Sequence, residues 1–401
     1  MRPILVSLLA ASSSFSVADT PDFSKIPPTV EKMIAEGKLA GGSVLIRQHG
    51  KVIYQKEFGH RDLESKLPMQ KDTLFRIFSM TKAITSTAAL MLCEEGKLSL
   101  DDPIDHYLPS LKDRRVFRDG IDPEKAQRQT TVRDLLRHTS GDGSAWGGGM
   151  IDKIYRKAGV GNREAPLNEM IEKLGTTPLA YQPGERWVYG LSSDILAAVI
   201  ATSAGEPFEQ VIQDRILTPL KLHDTFYQVP ADKADRLAVS YRQRKGALEI
   251  ADSAKESSYL ENPPFKGGGS GLVSSISDYA RFLQMIADGG IVDGKRYLRA
   301  DTVDLMRTNQ LPRAIPCISF GENDLRHGTG FGLGFSVRYA ADERWDPAAP
   351  VGEYGWGGAA STHYWISPKD DLIVVTMEQT MPYNWNLEQS LKQLIYKAVR
   401  K

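Results

Sequence analysis

The sequence has little cysteine, no net charge and no long apolar run beyond its N-terminus. Its 401 residues include two cysteines, Cys93 and Cys317, which are too few for a disulfide framework, so we expect both thiols to be free. Fifty basic residues balance fifty acidic ones, and this balance gives no reason to expect nucleic acid or an anionic membrane as a partner. No later run approaches the roughly 18 apolar residues that span a bilayer, so we expect no membrane segment in the mature chain. The composition favours a globular protein with a small-molecule site.

Several catalytic patterns are missing as well. No G-x-S-x-G elbow occurs, so the α/β-hydrolase route lacks its nucleophile turn. The seven histidines are scattered, with neither an H-E-x-x-H motif nor paired cysteines, so we expect no metal site. His138 is interpreted as a residue that fixes a turn rather than as a catalytic group. The cluster Gly267–Gly271 lacks the lysine and the spacing of a phosphate-binding loop, so it predicts a tight backbone crossing, and we expect no cofactor.

The first eighteen residues have the pattern of a signal peptide. Met1–Arg2 is a short positive region, Ile4–Ala11 is apolar, and Ser16–Ala18 places small residues where a signal peptidase cleaves. Cleavage before Asp19 would export the chain to the periplasm or the exterior of a bacterium. An uncleaved amphipathic N-terminus is the alternative.

Strand-like patterns lie near both ends of the chain. Two apolar runs separated by His49–Gly50 predict an N-terminal hairpin, and three further strands precede a C-terminal amphipathic helix. The intervening segment is mostly of helical pattern, with long loops. We therefore predict an α+β fold: an antiparallel sheet built from both termini and flanked by helices, with an inserted all-helical lobe. The expected bounds are about 19–85 and 330–401 for the α/β lobe and about 86–329 for the helical lobe. The predicted strands are Ser43–Ile46, Val52–Tyr54, Phe331–Tyr339, Ala360–Ile366 and Leu372–Met377.

The segment Ser79-Met80-Thr81-Lys82 contains the leading candidate nucleophile. Residues three apart on a helix lie on one face, so the Lys82 amine is able to reach the Ser79 hydroxyl and share its proton. A serine near a helix N-terminus also lies where free N–H groups and the helix dipole stabilise negative charge. Serine becomes a useful nucleophile only when a neighbouring base takes its proton, and lysine serves once desolvated. The alternative is a helix-capping serine beside a surface lysine.

Three further positions are candidate parts of the same site. Tyr189 follows a Pro-Gly turn and precedes a helix pattern, so its hydroxyl is placed to act as a proton shuttle; a packed aromatic residue is the alternative. The N–H of Ala359 would form an oxyanion hole together with the N–H of Ser79, whereas a glycine bulge in an edge strand is the plainer interpretation of this stretch. Trp146 lies in the glycine-rich loop 141–149, which is either a wall of a substrate cleft or a connector.

Taken together and in order, these motifs resemble the serine β-lactamase-related family, in its class C and D,D-peptidase group and most nearly its family VIII-type esterase branch. The resemblance implies a β-lactamase/transpeptidase-like fold, with the nucleophile between a sheet lobe and an all-helical lobe. It also implies that Ser79 is acylated, that Lys82 is its proton partner, that Tyr189 is the general base, and that Ser79 and Ala359 hold the oxyanion. The motifs that carry the resemblance are Ser79–Lys82, Leu135–Gly141, Tyr189, Gly267–Val273 and Trp356–Gly358.

Two departures from the family pattern concern the substrate. Members that act on β-lactams or on peptides ending in a carboxylate usually have Tyr-x-Asn and Lys-Thr-Gly, whereas this chain has Leu191 and Trp356 at the corresponding positions. Loss of that lysine removes a charged partner for a substrate carboxylate. We therefore expect Trp356, Gly357, Gly358 and Trp146 to contact an uncharged ester.

The expected function is hydrolysis of esters with small or medium acyl chains. The alternatives are a weak β-lactamase or D,D-carboxypeptidase, an acyltransferase, and a binding protein that is acylated but does not turn over. The expected partner is a small-molecule ester, and the oligomeric state stays open.

Overall fold

An eight-stranded antiparallel sheet joins the two ends of the chain. The structure is a computed structural model that describes residues 21–321 and 323–400, so the predicted signal peptide lies outside the described residues. The sheet strands are β1 (Gly41–Gln48), β2 (Lys51–Asp62), β3 (Leu67–Pro68), β4 (Thr329–Phe331), β5 (Ser336–Arg338), β6 (Tyr354–Gly358), β7 (Thr362–Ser367) and β8 (Leu372–Glu378). Their order across the sheet is β4-β5-β6-β7-β8-β1-β2-β3, which places the N-terminal hairpin beside the C-terminal β8. The predicted α+β fold, with one sheet built from both termini, is confirmed.

Ten α-helices lie in the described ranges. They are α1 (Ile26–Ala35), α2 (Thr81–Glu94), α3 (Val132–Leu136), α4 (Met150–Ala158), α5 (Leu167–Gly175), α6 (Ser192–Ala204), α7 (Phe208–Ile212), α8 (Ile276–Ala287), α9 (Ala300–Arg307) and α10 (Asn386–Val399). α7 continues as a π-helical turn at Gln213–Leu217. Among the described residues no single helix has the length and apolarity to cross a bilayer, although α6 and the extended α7, bent by 82°, would meet that test as a pair.

The sheet separates two apolar layers because neighbouring residues of a strand point to opposite faces. On β1, Val44 and Ile46 contact one layer and Leu45 contacts the other. α1 and α10 cover the first face, whereas α8 packs on β8 and β1 from the second. The second layer continues into the buried α2 and α6, so the helix that begins beside Ser79 is held in the larger of the two cores.

The inserted segment 86–329 is not all-helical, which corrects the prediction. Val273–Ser275 pairs with Leu74–Arg76, and Ser240–Arg244 pairs with Thr380–Met381, so the later part of this segment is tied to the sheet side of the molecule. The short strands of the segment are Arg115–Val116, Glu124–Lys125, Thr225–Phe226, Ser240–Arg244, Ala247–Asp252, Val273–Ser275, Ile291–Val292 and Lys295–Arg296. Six of these eight strands have only two or three residues, and strands of that length leave no alternation to detect.

The predicted strand Phe331–Tyr339 is in fact a hairpin. β4 and β5 pair with each other, and the turn between them is closed by the N–H of Gly332, which donates to the carbonyl of Phe335 at 2.8 Å. Gly334 in this turn has a φ of 109°, a conformation that favours glycine. A single apolar run therefore concealed a reversal of the chain.

Candidate active site

Ser79 lies on a 3-10 turn between a short strand and a long helix. The strand Leu74–Arg76 precedes it, and α2 begins at Thr81. Phe78, directly before the serine, has a φ of 41°, a left-handed conformation that a bulky residue keeps only where the surrounding packing enforces it. Ser79 is half-buried at the start of the helix, where the dipole favours developing negative charge. The expected location of Ser79 at a helix N-terminus is therefore found.

Lys82 is buried one turn further along the same helix. Its Nζ lies 3.3 Å from Oγ of Ser79 and donates a 2.6 Å hydrogen bond to the carbonyl of Gly269. Asp194 fixes that glycine in turn, because its Oδ1 accepts from the Gly269 N–H at 2.8 Å. A Cβ on Gly268 would lie 2.2 Å from a backbone oxygen of α6, so the predicted tight crossing of the glycine cluster is confirmed.

Tyr189 lies in the loop before α6 and faces the same space. Nζ of Lys82 lies 4.7 Å from the centroid of the Tyr189 ring, so the amine contacts the ring face. The hydroxyl accepts a 3.2 Å hydrogen bond from Nε1 of Trp356. Within the described residues it bonds neither Ser79 nor Lys82. The structure thus brings the three candidate catalytic residues together, with Lys82 at the Ser79 oxygen and against the ring face of Tyr189.

His138 supports the Tyr189 loop as a neutral ring. Its ring centroid lies 5.1 Å from that of Tyr189 and 6.0 Å from that of Trp187, and its carbonyl accepts from the N–H of Val188 at 2.9 Å. Burial, assisted by the charge of Lys82, lowers the pKa of His138 to about 3. A histidine that stays uncharged near neutral pH and holds the adjacent turn agrees with the interpretation made from the sequence.

The end of β6 lies against the Ser79 turn. A Cβ on Gly358 would lie 2.3 Å from the carbonyl oxygen of Ile77, so this approach requires glycine. Ala359 follows, and within the described residues neither its N–H nor the N–H of Ser79 donates a hydrogen bond. Ser79 and Ala359 line one cavity. Two unengaged N–H groups beside a serine oxygen are the groups from which an oxyanion hole is built.

The cavity beside Ser79 has a volume of about 390 Å³. Tyr189 and the whole stretch Trp356–Ala359 line it. Trp146 does not, since its side chain is 56% exposed and lies outside the cavity wall. Its loop is held on α4 instead, by N–H groups that donate to Oδ1 of Asp152. The structure therefore does not bring Trp146 to the position expected of a substrate contact.

The sequence analysis missed several aromatic side chains in the cavity wall. Phe320 stacks on Trp356 with ring centroids 6.1 Å apart and lies 5.4 Å from the ring of Tyr189. Others come from the loops that precede β6 and follow β8. They are Trp345, Tyr383 and Trp385. Loop residues show no periodicity, so the sequence could have indicated these side chains only through their location next to the predicted strands.

The far end of the cavity reaches a cluster of paired charges. Nζ of Lys392 on α10 lies 2.6 Å from Asp346, 2.8 Å from Glu353 and 3.3 Å from Glu388. Glu388 also accepts from Nε2 of His363 at 2.8 Å. The cation of this cluster is the lysine itself, and in the described ranges no three His, Cys, Asp or Glu side chains are arranged to hold a metal ion.

Comparison with known proteins identifies a family and several similar proteins. The sequence profile of the family described as Beta-lactamase matches residues 27–394. Protein Rv1367c of Mycobacterium tuberculosis is 35% identical over 88% of this chain and 89% of its own. Esterase EstB of Burkholderia gladioli is 28% identical over 92% of this chain and 93% of its own. Among solved structures, that of "EstCE1, a hydrolase with promiscuous acyltransferase activity" has a TM-score of 0.79 at 26% identity and covers 94% of this chain and 98% of its own.

Proposed function

The chain is a serine hydrolase that belongs to the β-lactamase family, and from that premise we propose that it hydrolyses carboxylic esters of small or medium acyl chains through an acyl-enzyme on Ser79. The observation that carries the proposal is the pairing of a buried lysine amine with the serine oxygen, 3.3 Å apart, at the wall of an aromatic cavity. Esterase EstB, similar along nearly the whole chain, supports the reaction class.

In the first half-reaction, Oγ of Ser79 attacks the ester carbonyl carbon while its proton passes to the Lys82–Tyr189 pair, one member of which starts deprotonated. The resulting oxyanion is held by the N–H groups of Ser79 and Ala359. Collapse of this intermediate breaks the bond between the carbonyl carbon and the alkoxy oxygen, and the same pair returns the proton to the leaving alkoxide.

In the second half-reaction, water attacks the acyl-enzyme. The Lys82–Tyr189 pair accepts a proton from that water, the oxyanion forms again between the two N–H groups, and the Ser79 ester bond breaks. The proton returns to Oγ of Ser79 and the acid leaves. The Trp356 indole, as donor to the Tyr189 hydroxyl, keeps that oxygen at a fixed position during both steps.

The aromatic wall supports an ester rather than a β-lactam as substrate. Trp356 occupies the place of the family lysine, and its ring and that of Phe320 present apolar faces to the space beside Ser79. Apolar faces bind acyl or alkyl groups through burial of their surface, whereas a β-lactam carboxylate at that position would lose its charged partner.

The test compares 4-nitrophenyl butyrate with a chromogenic cephalosporin, using the wild type and Ser79→Ala. We expect ester cleavage that is lost in the variant, with little turnover of the cephalosporin. Dominant cephalosporin cleavage would favour the β-lactamase alternative. Accumulation of acylated Ser79 without release of acid, seen by intact-mass spectrometry, would favour the acylated binding protein.

Acyl transfer to an alcohol is the second candidate, and the relative EstCE1, a hydrolase with promiscuous acyltransferase activity, favours it. The same acyl-enzyme would then be attacked by an alcohol oxygen in place of water. Adding a primary alcohol to the ester assay separates the two: a new ester as the main product indicates transfer, whereas unchanged release of acid indicates hydrolysis.

A further inference from the structure

Arg326 differs from the other cations of the cavity wall because, among the described residues, its guanidinium has no close hydrogen-bonded acceptor. Lys392 and His363 are paired with carboxylates, as described above, and Arg338 donates to the carbonyl oxygens of His327 and Asp342 at 2.7 Å. By contrast, Arg326 has only a loose ion pair with Asp324, and its buried Nε has no hydrogen-bond partner within the described part of the chain.

The surroundings of Arg326 are aromatic. Its Cζ lies 4.2 Å from the ring centroid of Phe320, 4.7 Å from that of Trp385 and 4.8 Å from that of Trp345. The side chain is only 11% exposed. The carboxylate of Asp324 lies 3.7 Å from Nε, beyond hydrogen-bond distance, and is itself 41% exposed. Ring faces attract the guanidinium but leave its two terminal nitrogens without acceptors.

An arginine stays protonated in proteins, so this largely buried site carries a positive charge whose nearest carboxylate, that of Asp324, is too far from Nε for a close ion pair. A guanidinium offers its terminal N–H groups as a planar fork that fits a carboxylate in two parallel hydrogen bonds. The aromatic rings hold the plane of the fork in place. A carboxylate entering the cavity would supply the acceptors that the protein does not.

The position of Arg326 relative to the reacting centre defines where such a carboxylate would lie. Its Cζ is 6.0 Å from the ring centroid of Trp356, and Trp356 bonds the hydroxyl of Tyr189. Phe320 contacts both the guanidinium and the Tyr189 ring. A carboxylate bound by Arg326 would therefore lie beyond the rings that line the space beside Ser79, at the far end of a chain that carries the ester group.

From this geometry we infer that the substrate carries a carboxylate remote from its ester group and that Arg326 binds it. This inference rests on the proposed esterase function and narrows its substrate class to monoesters of dicarboxylic acids and related ester acids. It revises the expectation of an uncharged ester: Trp356 leaves no cation next to the reacting carbonyl, and Arg326 supplies one further away.

The test uses two esters that differ at one group. The mono-4-nitrophenyl ester of adipic acid ends in a carboxylate, whereas 4-nitrophenyl hexanoate ends in a methyl group on a chain of equal length. Arg326→Met keeps the length of the side chain and removes its charge. We expect it to lower kcat/KM for the adipate ester by about 10- to 100-fold, the usual worth of a charge-assisted pair, and to leave kcat/KM for the hexanoate ester nearly unchanged.

Matched variants show whether Arg326 binds the substrate carboxylate or only supports the aromatic side chains around it. Arg344→Met removes an exposed arginine of a neighbouring loop, and we expect it to change neither ester. Asp324→Asn removes the anion nearest to Arg326 and is expected to raise the preference for the adipate ester. Arg326→Lys keeps the charge and should retain part of that preference. Equal losses for both esters in Arg326→Met would mean that the arginine only supports its neighbours, and would overturn the inference.

A binding measurement separates this inference from the proposed function. In Ser79→Ala, calorimetric titration with monomethyl adipate reports on Arg326 without turnover. We expect measurable binding that is lost when Arg326→Met is added. Lack of Ser79-dependent cleavage of either ester would overturn the esterase proposal, whereas titrations that do not differ between Ser79→Ala and the double variant would overturn the role of Arg326 alone.

Discussion

Two buried lysines of this chain have opposite surroundings. Lys82 on α2 is 5% exposed and Lys392 on α10 is 2% exposed. In the described residues, Lys82 contacts only neutral oxygens, those of Ser79 and Gly269, and the face of an aromatic ring. Lys392 lies among three carboxylates, which outweigh burial and hold its pKa well above the usual range. No carboxylate of the described residues pairs with Lys82, whereas three carboxylates hold Lys392 as a cation.

The difference shows that a buried lysine suits proton transfer in one environment and stabilisation of the fold in another. A proton relay requires an amine that gives up and regains its proton during each cycle, so a carboxylate partner would impede it. A buried cluster of acids requires a cation that never leaves, because unpaired charges in a dry interior are costly. Making the same substitutions at both lysines tests the comparison, because we expect a loss of catalysis at one position and a loss of stability at the other.

The largest effect is expected at Lys82. Lys82→Met should lower kcat for 4-nitrophenyl butyrate by about 10²–10⁴-fold, the range for loss of a general acid–base group, with little change in the thermal midpoint. Lys82→Arg should be equally inactive, because a guanidinium keeps its charge but does not release a proton. Steady-state kinetics and a melting curve check both. Turnover near the wild-type rate in either variant would refute the relay.

At Lys392 the same substitutions should affect stability rather than catalysis. Lys392→Met leaves its carboxylates buried without their cation and should lower the free energy of unfolding by about 3–5 kcal/mol. Lys392→Arg keeps a cation there and should lose less. Urea denaturation measures both effects, with Lys397→Met, exposed on the same helix, as the control. An unchanged unfolding midpoint in Lys392→Met would show that the cluster contributes nothing to stability.

The sequence predicts the surroundings of Lys82 better than those of Lys392. Ser79 and Lys82 lie three residues apart on one helix, so a local pattern was sufficient to pair them, and the Gly267–Gly271 crossing was indicated by composition alone. The Lys392 cluster joins α10 to β7 and to the chain just before β6, elements that no local pattern connects. Arg326 was not predicted as a site residue for the same reason. The tryptophan rings around it, those of Trp345, Trp356 and Trp385, come from later segments of the chain.

At two places the local sequence is compatible with more than one structure, and only the tertiary structure decides between them. Trp146 is an aromatic residue in a glycine-rich loop, and the hydrogen bonds of that loop to Asp152 turn it away from the cavity. The start of α8 shows the same ambiguity, because the sequence from Ser275 to Asp278 also fits a helix capped by Ser277. The helix begins at Ile276 and is capped by Ser275, whose hydroxyl accepts from the N–H of Asp278. Two serines two residues apart are equally good caps on paper, and tertiary packing selects one.

Two buried carboxyls extend the comparison to acids. Burial raises the pKa of Glu378 to about 8 against the lowering effect of Thr380, and one of its carboxyl oxygens lacks a partner in the described chain. Burial alone would also raise the pKa of Glu388, but His363 and Lys392 reverse this and lower it to about 2. Glu388 therefore stabilises the fold above its unfolded pKa near 4.5, and this stability is lost as pH falls toward 2.

The contribution of Glu378 to stability changes with pH in the opposite direction. Below the unfolded pKa of about 4.5 both states are protonated, and as pH rises toward 8 only the unfolded state ionises, so stability falls. Glu378→Gln should abolish this fall, worth about 3 kcal/mol between pH 4.5 and 7. Urea denaturation of the wild type and the variant across this range gives the difference. Parallel pH profiles would show that the buried carboxyl does not titrate in this way.

The smallest effect is expected at the hydrogen bond from Trp356 to Tyr189. Trp356→Phe keeps an aromatic ring in the cavity wall and deletes the Nε1–H donor, so kcat/KM for 4-nitrophenyl butyrate should fall about threefold to tenfold, the worth of one net hydrogen bond. Trp187→Phe is the matched control, because Trp187 also stacks on Tyr189 but its Nε1 has no partner in the described chain. If both variants lose activity equally, ring packing rather than the hydrogen bond positions Tyr189. A loss confined to Trp356→Phe would mean that the indole N–H, and not ring packing alone, holds the Tyr189 oxygen in position.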